Sequence, residues 1–343
     1  VGDAGTLKNA PGGATNKKIY VPAKTMALTA GNSSTPFEFG CQDRESGLFR
    51  TQQIDGIMGL SAEHDTLPYV LERNGVTSTR GFSLCLNKYA GVLSLGGIDG
   101  RLLKPVHPLT TVQIQYAKLL QGSGWYTVRL LDVLMKNPET GEMRSLGVSS
   151  SKYNGGRGVI IDSGTTDTYL PADLTEKWNN LFAKMSNGVK YSTRQREMTD
   201  REMSALPTIV YRLEAPGSAN PVDVESPADA YTEHIKLKSG QEKKAFRIYT
   251  TEKDGAVLGS NFMVGHNLFF DIERRRLGFA PSDCHFEDEY VNAKLAQIKA
   301  QGGGSSNERN KAHNRYIHLQ DDALYTRTVE SLSTACGARS SFL

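Results

Sequence analysis

Residues 159–171 read VIIDSGTTDTYLP. Val159, Ile160 and Ile161 are all β-branched and show no helical period, which suits a short strand buried on both faces. Asp162 ends that strand on a charge, directly before a Ser-Gly-Thr turn. The same grammar recurs along the chain. Short runs of Val, Ile, Thr and Tyr are separated by Gly, Asn, Asp and Pro, and the 34 glycines supply many of the breaks. Many short strands joined by turns, an all-β fold, is the expectation.

At 343 residues the chain is long for one core and sufficient for two lobes. Its formal net charge of +3 is too small to imply nucleic acid or a membrane surface as a partner. No apolar run approaches the ~18 residues of a membrane span, and none near the start resembles a signal peptide. Residue 1 is Val, so absence of a targeting segment says nothing about compartment. The cysteines, Cys41, Cys85, Cys284 and Cys336, are widely spaced and form no metal or redox pair. Cys85 and Cys284 lie in apolar, strand-like contexts and read from spacing alone as buried free thiols, at about even odds. Asn32-Ser33-Ser34 is a candidate glycosylation acceptor.

Strands are expected at 18–21, 36–41, 82–86 and 91–95, with a short helix over 67–73 that Gly75 stops. The order then restarts with a strand pair over 125–135 and the 159–161 strand. A helix opening at Pro171 carries Leu174, Trp178, Leu181, Phe182 and Met185 on one face and ends at Asn187-Gly188. Further strands are expected at 208–213, 246–249, 256–258, 269–272 and 277–280. An apolar-apolar-Gly step, Ile57-Met58-Gly59 in one half and Val257-Leu258-Gly259 in the other, suggests an internal duplication. From about residue 285 the chain turns polar: a charged helix over 287–300, a Gly/Ser linker at 302–306, and a tail without period. Arg274-Arg275-Arg276 reads as a solvated turn rather than an anion site, and Gly96-Gly97-Ile98-Asp99-Gly100 as a β-turn rather than a phosphate loop. His313 and His318 lack company at ligand spacing, so no metal and no cofactor is expected.

Asp162 has two readings. It can cap a turn, accepting N–H bonds from Gly164 or Thr165. Alternatively, its place at the mouth of a core strand, with the hydroxyls of Ser163, Thr165 and Thr166 around it and Gly164 permitting close approach, suits acid–base chemistry.

Asp162-Ser163-Gly164-Thr165-Thr166 resembles the second catalytic signature of pepsin-type aspartic proteases, bilobal enzymes in which each lobe contributes one Asp-Thr/Ser-Gly. Asp55-Gly56-Ile57-Met58-Gly59-Leu60 is similar to the family's late amino-lobe step. Val257-Leu258-Gly259, Phe269-Phe270-Asp271 and Leu277-Gly278-Phe279-Ala280 resemble its carboxy-lobe counterpart, and Leu206-Pro207-Thr208-Ile209 the strand between. The resemblance covers roughly residues 30–285. Gly164-Thr165-Thr166, Leu170-Pro171 and the run Cys284-His285-Phe286-Glu287-Asp288-Glu289-Tyr290 look closest to the membrane-anchored β-secretase (memapsin) branch.

That resemblance implies an amino-terminal lobe remainder over 1–115, a carboxy-terminal lobe over 116–284 and a tail over 285–343. It implies peptide-bond hydrolysis by a water activated between two carboxylates, of which Asp162 is one. Ser163 and Gly164 would support the site, Thr165 would bond the outer carboxylate oxygen, and Thr166 would meet substrate backbone. It pairs Cys85 with Cys284 in a disulfide tying the lobes, and so implies the secretory pathway: extracellular, endosomal, vacuolar or membrane-anchored, with any anchor outside these residues. A protein or peptide substrate and a monomer are expected. Only Asp162 precedes Ser-Gly or Thr-Gly; Asp3-Ala4-Gly5-Thr6 lacks an apolar strand leading into it. The first catalytic Asp and flap are therefore expected to be missing through amino-terminal truncation, leaving the chain inactive alone. The other reading is an inactive homologue serving as a binding or inhibitory module.

Overall fold

The computed structural model describes residues 24–30, 33–39, 57–87, 91–103, 113–120, 124–217, 220–282, 284 and 317–319. Asn32, Cys41, Asp55, Gly56 and Cys336, with the strand expected at 18–21 and the helix at 287–300, lie outside the described residues. The elements are mostly strands with a few short helices, an all-β architecture. The chain divides into two compact units. One draws its described residues from 24–83, 91–99 and 317–319, the other from 84–87 and 100–284.

In the first unit β1 (Lys24–Ala30) and β2 (Ser33–Phe39) form an antiparallel hairpin. The helix α1 (Leu67–Arg73) has Pro68 in its first turn, where the missing N–H is no loss, and buries Leu67, Val70 and Leu71. Gly75 at φ +68° stops it. β3 (Gly81–Leu86), whose residues from Leu84 onward group with the second unit, and β4 (Gly91–Leu95) follow, and Gly96 N–H closes back onto Gly81 O at 2.9 Å.

The second unit begins with β5 (Gln115–Lys118), β6 (Thr127–Val128), β7 (Leu130–Lys136), β8 (Met143–Ser145), β9 (Val159–Ile161) and β10 (Thr168–Pro171). The helices α2 (Thr175–Met185) and α3 (Asp200–Ser204) lead to β11 (Thr208–Leu213), β12 (Val222–Ser226), α4 (Ala228–Tyr231), β13 (Thr232–Lys236), β14 (Glu242–Phe246) and β15 (Ile248–Glu252). The unit ends with β16 (Ala256–Leu258), α5 (Ser260–Met263), β17 (His266–Asp271) and β18 (Arg276–Pro281). One sheet runs β15-β10-β16-β9-β6 and a second β12-β11-β7-β8; β13 pairs β14, and β18 lies between β17 and β5. In the polar tail, β19 (Ile317–Leu319) pairs in parallel with β4 of the first unit, an element without signal in that segment's composition.

α2 buries Trp178, Phe182 and Met185 as its spacing predicts, while Leu181 is only half-buried. It stops where expected: Asn187 and Gly188 take φ +54° and +92°, and Gly188 N–H bonds back to Ala183 O at 2.8 Å. Phe182 packs within 5.2 Å of both Tyr191 and Phe246, and Tyr191 stacks on Phe246 at 4.8 Å. This aromatic cluster anchors the β14–β15 junction through Phe246.

The Arg274-Arg275-Arg276 turn is not simply solvated. Asp271, 0% exposed, takes Arg276 Nε at 2.7 Å, Arg274 Nη1 at 3.5 Å and the Arg274 N–H at 3.2 Å. Arg276 also lies 3.8 Å above the Tyr116 ring. Two of the three guanidinium groups thus compensate one buried carboxylate that the local pattern does not reveal. Arg276→Met is expected to lower unfolding free energy by about 2–4 kcal/mol, because it strips a buried charge of its nearest partner. Urea denaturation at neutral pH measures it, and a change within experimental error would show that Arg274 suffices.

Cys85 and Cys284 are joined by a disulfide with Cα atoms 5.2 Å apart. Residues 84–87 group with the second unit, so the bond closes within that unit rather than between two.

Candidate active site

β16 is the pivot of the site. β9 lies parallel to it on one side, with Ile161 level with Leu258, and β10 antiparallel on the other, with Tyr169 level with Val257. The chain therefore leaves one side of β16 at Asp162 and returns on the other at Thr168, so the intervening loop crosses the end of β16 over Gly259. A Cβ on Gly259 would stand 2.5 Å from Thr165 O and closer still to Asp167 O. Only glycine leaves room for the crossing.

The loop is held along its length. Asp162 N–H donates to Leu258 O at 3.0 Å, Ser260 N–H to Thr165 O at 2.7 Å and Asn261 N–H to Thr166 O at 3.1 Å. The Ser260 hydroxyl adds a bond to Thr166 O at 3.2 Å. At the far end Thr168 N–H reaches Arg247 O at 3.2 Å, and Asn261 Nδ2 reaches the same carbonyl at 2.8 Å.

Asp162 is half-buried, and both carboxylate oxygens have fixed donors: Gly164 N–H to Oδ1 at 2.9 Å and Thr165 Oγ1 to Oδ2 at 2.6 Å. The Gly164 bond is the turn-capping contact expected of an Asp in this position. The Thr165 bond goes further, since it orients the second oxygen of a carboxylate that still reaches solvent. Ser163, Gly164 and Thr166 are exposed, and Thr166 enters the bonding network through its carbonyl. A carboxylate so oriented can hold or release a proton at a defined position, which is the requirement for general acid–base work. Among the described residues no group of three or more His, Cys, Asp or Glu could hold a metal ion.

Sequence reasoning missed part of the site. Asp167 is 8% exposed and faces Arg247 Nε at 3.4 Å, while Arg247 Nη2 reaches Glu233 at 3.1 Å. Burial pushes the Asp167 carboxyl pKa up, Arg247 draws it down and Glu233 raises it, with a net rise. Tyr169 and Tyr249 stack alongside at 5.2 Å. Ser260 and Asn261 carried one faint signal, their place directly after Val257-Leu258-Gly259. Asp167 stood inside the VIIDSGTTDTYLP stretch, but nothing local distinguished it. No helix among the described residues is long and apolar enough to cross a membrane.

The family model of the eukaryotic aspartyl proteases matches residues 24–282. Candidapepsin-4 of Candida albicans is 21% identical over 301 residues, covering 77% of this chain and 64% of that protein. Aspartic proteinase 36 of Arabidopsis thaliana is 33% identical over 152 residues, 43% of this chain and 28% of its own length. The beta-secretase of Strongylocentrotus purpuratus is 26% identical over 224 residues, 57% of this chain and 36% of its own. This chain thus spans less than two thirds of the candidapepsin-4 length. The family match takes in β9, β16, β10 and the Asp162 loop together, and on it the chain belongs to the eukaryotic aspartyl protease family.

Proposed function

We propose that the whole protein is an aspartic endopeptidase in which Asp162 is one of two carboxylates that activate a water against a peptide carbonyl. The observation that carries this reading is the Asp162 carboxylate itself, half-buried with each oxygen met by its own donor. Two carboxylates held close share one proton, because both cannot ionise together. The ionised member takes a proton from water while the other polarises the carbonyl. Which of the two carries the proton belongs to the pair, not to Asp162. Ser163 and Gly164 support the loop, Thr165 orients Asp162, and Thr166 meets substrate backbone.

The second carboxylate comes, on this reading, from an Asp-Thr-Gly or Asp-Ser-Gly motif outside these 343 residues, since Asp162 alone precedes such a dipeptide here. The two apolar-apolar-Gly steps support that idea. Val257 and Leu258 are buried and Gly259 is tightly packed, whereas Ile57 and Met58 are 71% and 39% exposed and a Cβ on Gly59 would meet nothing within 4 Å among the described residues. A strand leading into the missing Asp would cover the first step as β9 and its loop cover the second. Residues 1–115 are then the remainder of an amino-terminal lobe, 116–284 the carboxy-terminal lobe and 285–343 a tail.

The run from Cys284 to Tyr290 favours the β-secretase branch. The disulfide favours passage through the secretory pathway. A monomer acting on protein or peptide substrates completes the reading. The scarcity of the motif favours one other possibility, a homologue without the first Asp that binds rather than cleaves. Comparing peptide cleavage at acid pH by the full-length protein and by residues 1–343 separates them. Cleavage by the full-length protein alone is expected; failure of both would sink the enzyme in favour of the binding module.

A further inference from the structure

The far end of the Asp162 loop is fastened by a charged residue that the hydrolytic chemistry does not itself require. Arg247 interrupts the run between β14 and β15, and Tyr191 clamps it from the next residue. The Tyr191 hydroxyl accepts Ile248 N–H at 3.1 Å and donates to Ile248 O at 2.6 Å, while its ring stacks on Phe246. So held, Arg247 turns its carbonyl to Thr168 N–H and Asn261 Nδ2. Its guanidinium goes to the same region: Nε to Asp167, Nη2 to Glu233 and Nη1 to the Tyr249 hydroxyl at 2.9 Å. Main chain and side chain of one residue thus grip the two adjacent residues, Asp167 and Thr168, that close the loop.

We propose that Asp167 and Arg247 form a positioning pair that fixes the Asp162 loop in its reactive geometry. The proposal rests on the aspartic-peptidase reading given above. Four titratable groups face Asp167 or its partner: Arg247 between β14 and β15, Glu233 of β13, Tyr249 of β15 and Tyr169 of β10. Burial outweighs the attraction of Arg247, so folded Asp167 holds its proton more tightly than the unfolded chain does. Above that raised pKa its ionised form disfavours the fold, and the penalty fades as pH falls through it. A buried charge fastened at the far end of the loop that carries Asp162 suits a positioning role, because one residue, Arg247, holds both Asp167 and Thr168 there.

The test uses the full-length protein. Asp167→Asn keeps the side-chain shape and removes the charge. It is expected to raise Tm at neutral pH, with the difference closing in acid, while kcat falls about tenfold and KM stays within about twofold. Arg247→Met should lower both Tm and kcat, and the double variant should recover Tm but not kcat. Wild-type kcat in Asp167→Asn overturns the proposal. So does a kcat loss matched by an equal loss of Tm at every pH, which marks a merely structural group. Should Asp167→Asn fail to fold, the double variant decides: a wild-type kcat overturns the pair and a tenfold loss upholds it. Asp162→Asn, run alongside, separates the two ideas. Activity surviving there sinks the peptidase reading, whereas its loss together with an unaffected Asp167→Asn sinks the positioning pair alone.

Discussion

On the proposed peptidase reading, Asp162→Asn is expected to lower kcat of the full-length protein by at least about 10³-fold, the loss that follows removal of an essential acid–base group. The substitution is nearly isosteric. Gly164 N–H can still meet a side-chain oxygen, and the Thr165 hydroxyl can turn to accept from the new amide. Fold and melting temperature should therefore change little, because Asp162 is half-buried and its loop is held mainly by backbone bonds to Leu258, Ser260 and Asn261. Circular dichroism beside initial rates on a peptide substrate makes the comparison. A variant that folds and keeps its rate within tenfold would remove Asp162 from the chemistry.

Gly259→Ala should produce the second large effect, this time on the fold as well. Its new methyl would meet the backbone carbonyls of Thr165 and Asp167, neither of which can swing away as a side-chain tip could. Either the loop lifts off β16 or β16 shifts from β9, and each breaks bonds that orient Asp162. A loss of about 2–4 kcal/mol in unfolding free energy is expected, at or above the usual range for overpacking because the obstruction is main chain. Activity should fall by more than tenfold, through geometry rather than protonation. Gly59→Ala is the internal control. In residues 1–343 it should be silent, since a Cβ there meets nothing among the described residues, but in the full-length protein it should be costly if a strand packs over Ile57 and Met58. A silent Gly59→Ala in both would argue against that strand.

Local pattern carried much of this reading because the relevant forces are local. Three successive β-branched residues make β9, the 3.6-residue spacing of Trp178, Phe182 and Met185 makes the buried face of α2, and Asn187-Gly188 can take the left-handed conformation that ends it. The resemblance of Asp162-Ser163-Gly164-Thr165-Thr166 rested on consecutive residues and was legible for the same reason. Residues 246–249 have the pattern of one strand, yet the structure breaks at Arg247 between β14 and β15. The break comes from partners far away in sequence: Tyr191 clamps Ile248, while Thr168 and Asn261 draw the Arg247 carbonyl out of line. The arginine turn is exposed at Arg274 and Arg275 as a solvated turn would be, but the pairing of Arg274 and Arg276 arises only once Asp271 is buried.

By itself the sequence determined an all-β chain with one carboxylate placed at the end of a buried strand and a glycine-bearing turn behind it. Those features depend on backbone conformation and side-chain branching, which neighbouring residues decide. Only the tertiary structure decided that β16 would come to lie between β9 and β10, so that Gly259 makes the loop crossing possible. It also decided that Arg247, eighty positions beyond Asp167, would close the far end of that loop. Burial and charge pairing act across space, and no spacing along the chain encodes which buried carboxylate will meet which arginine.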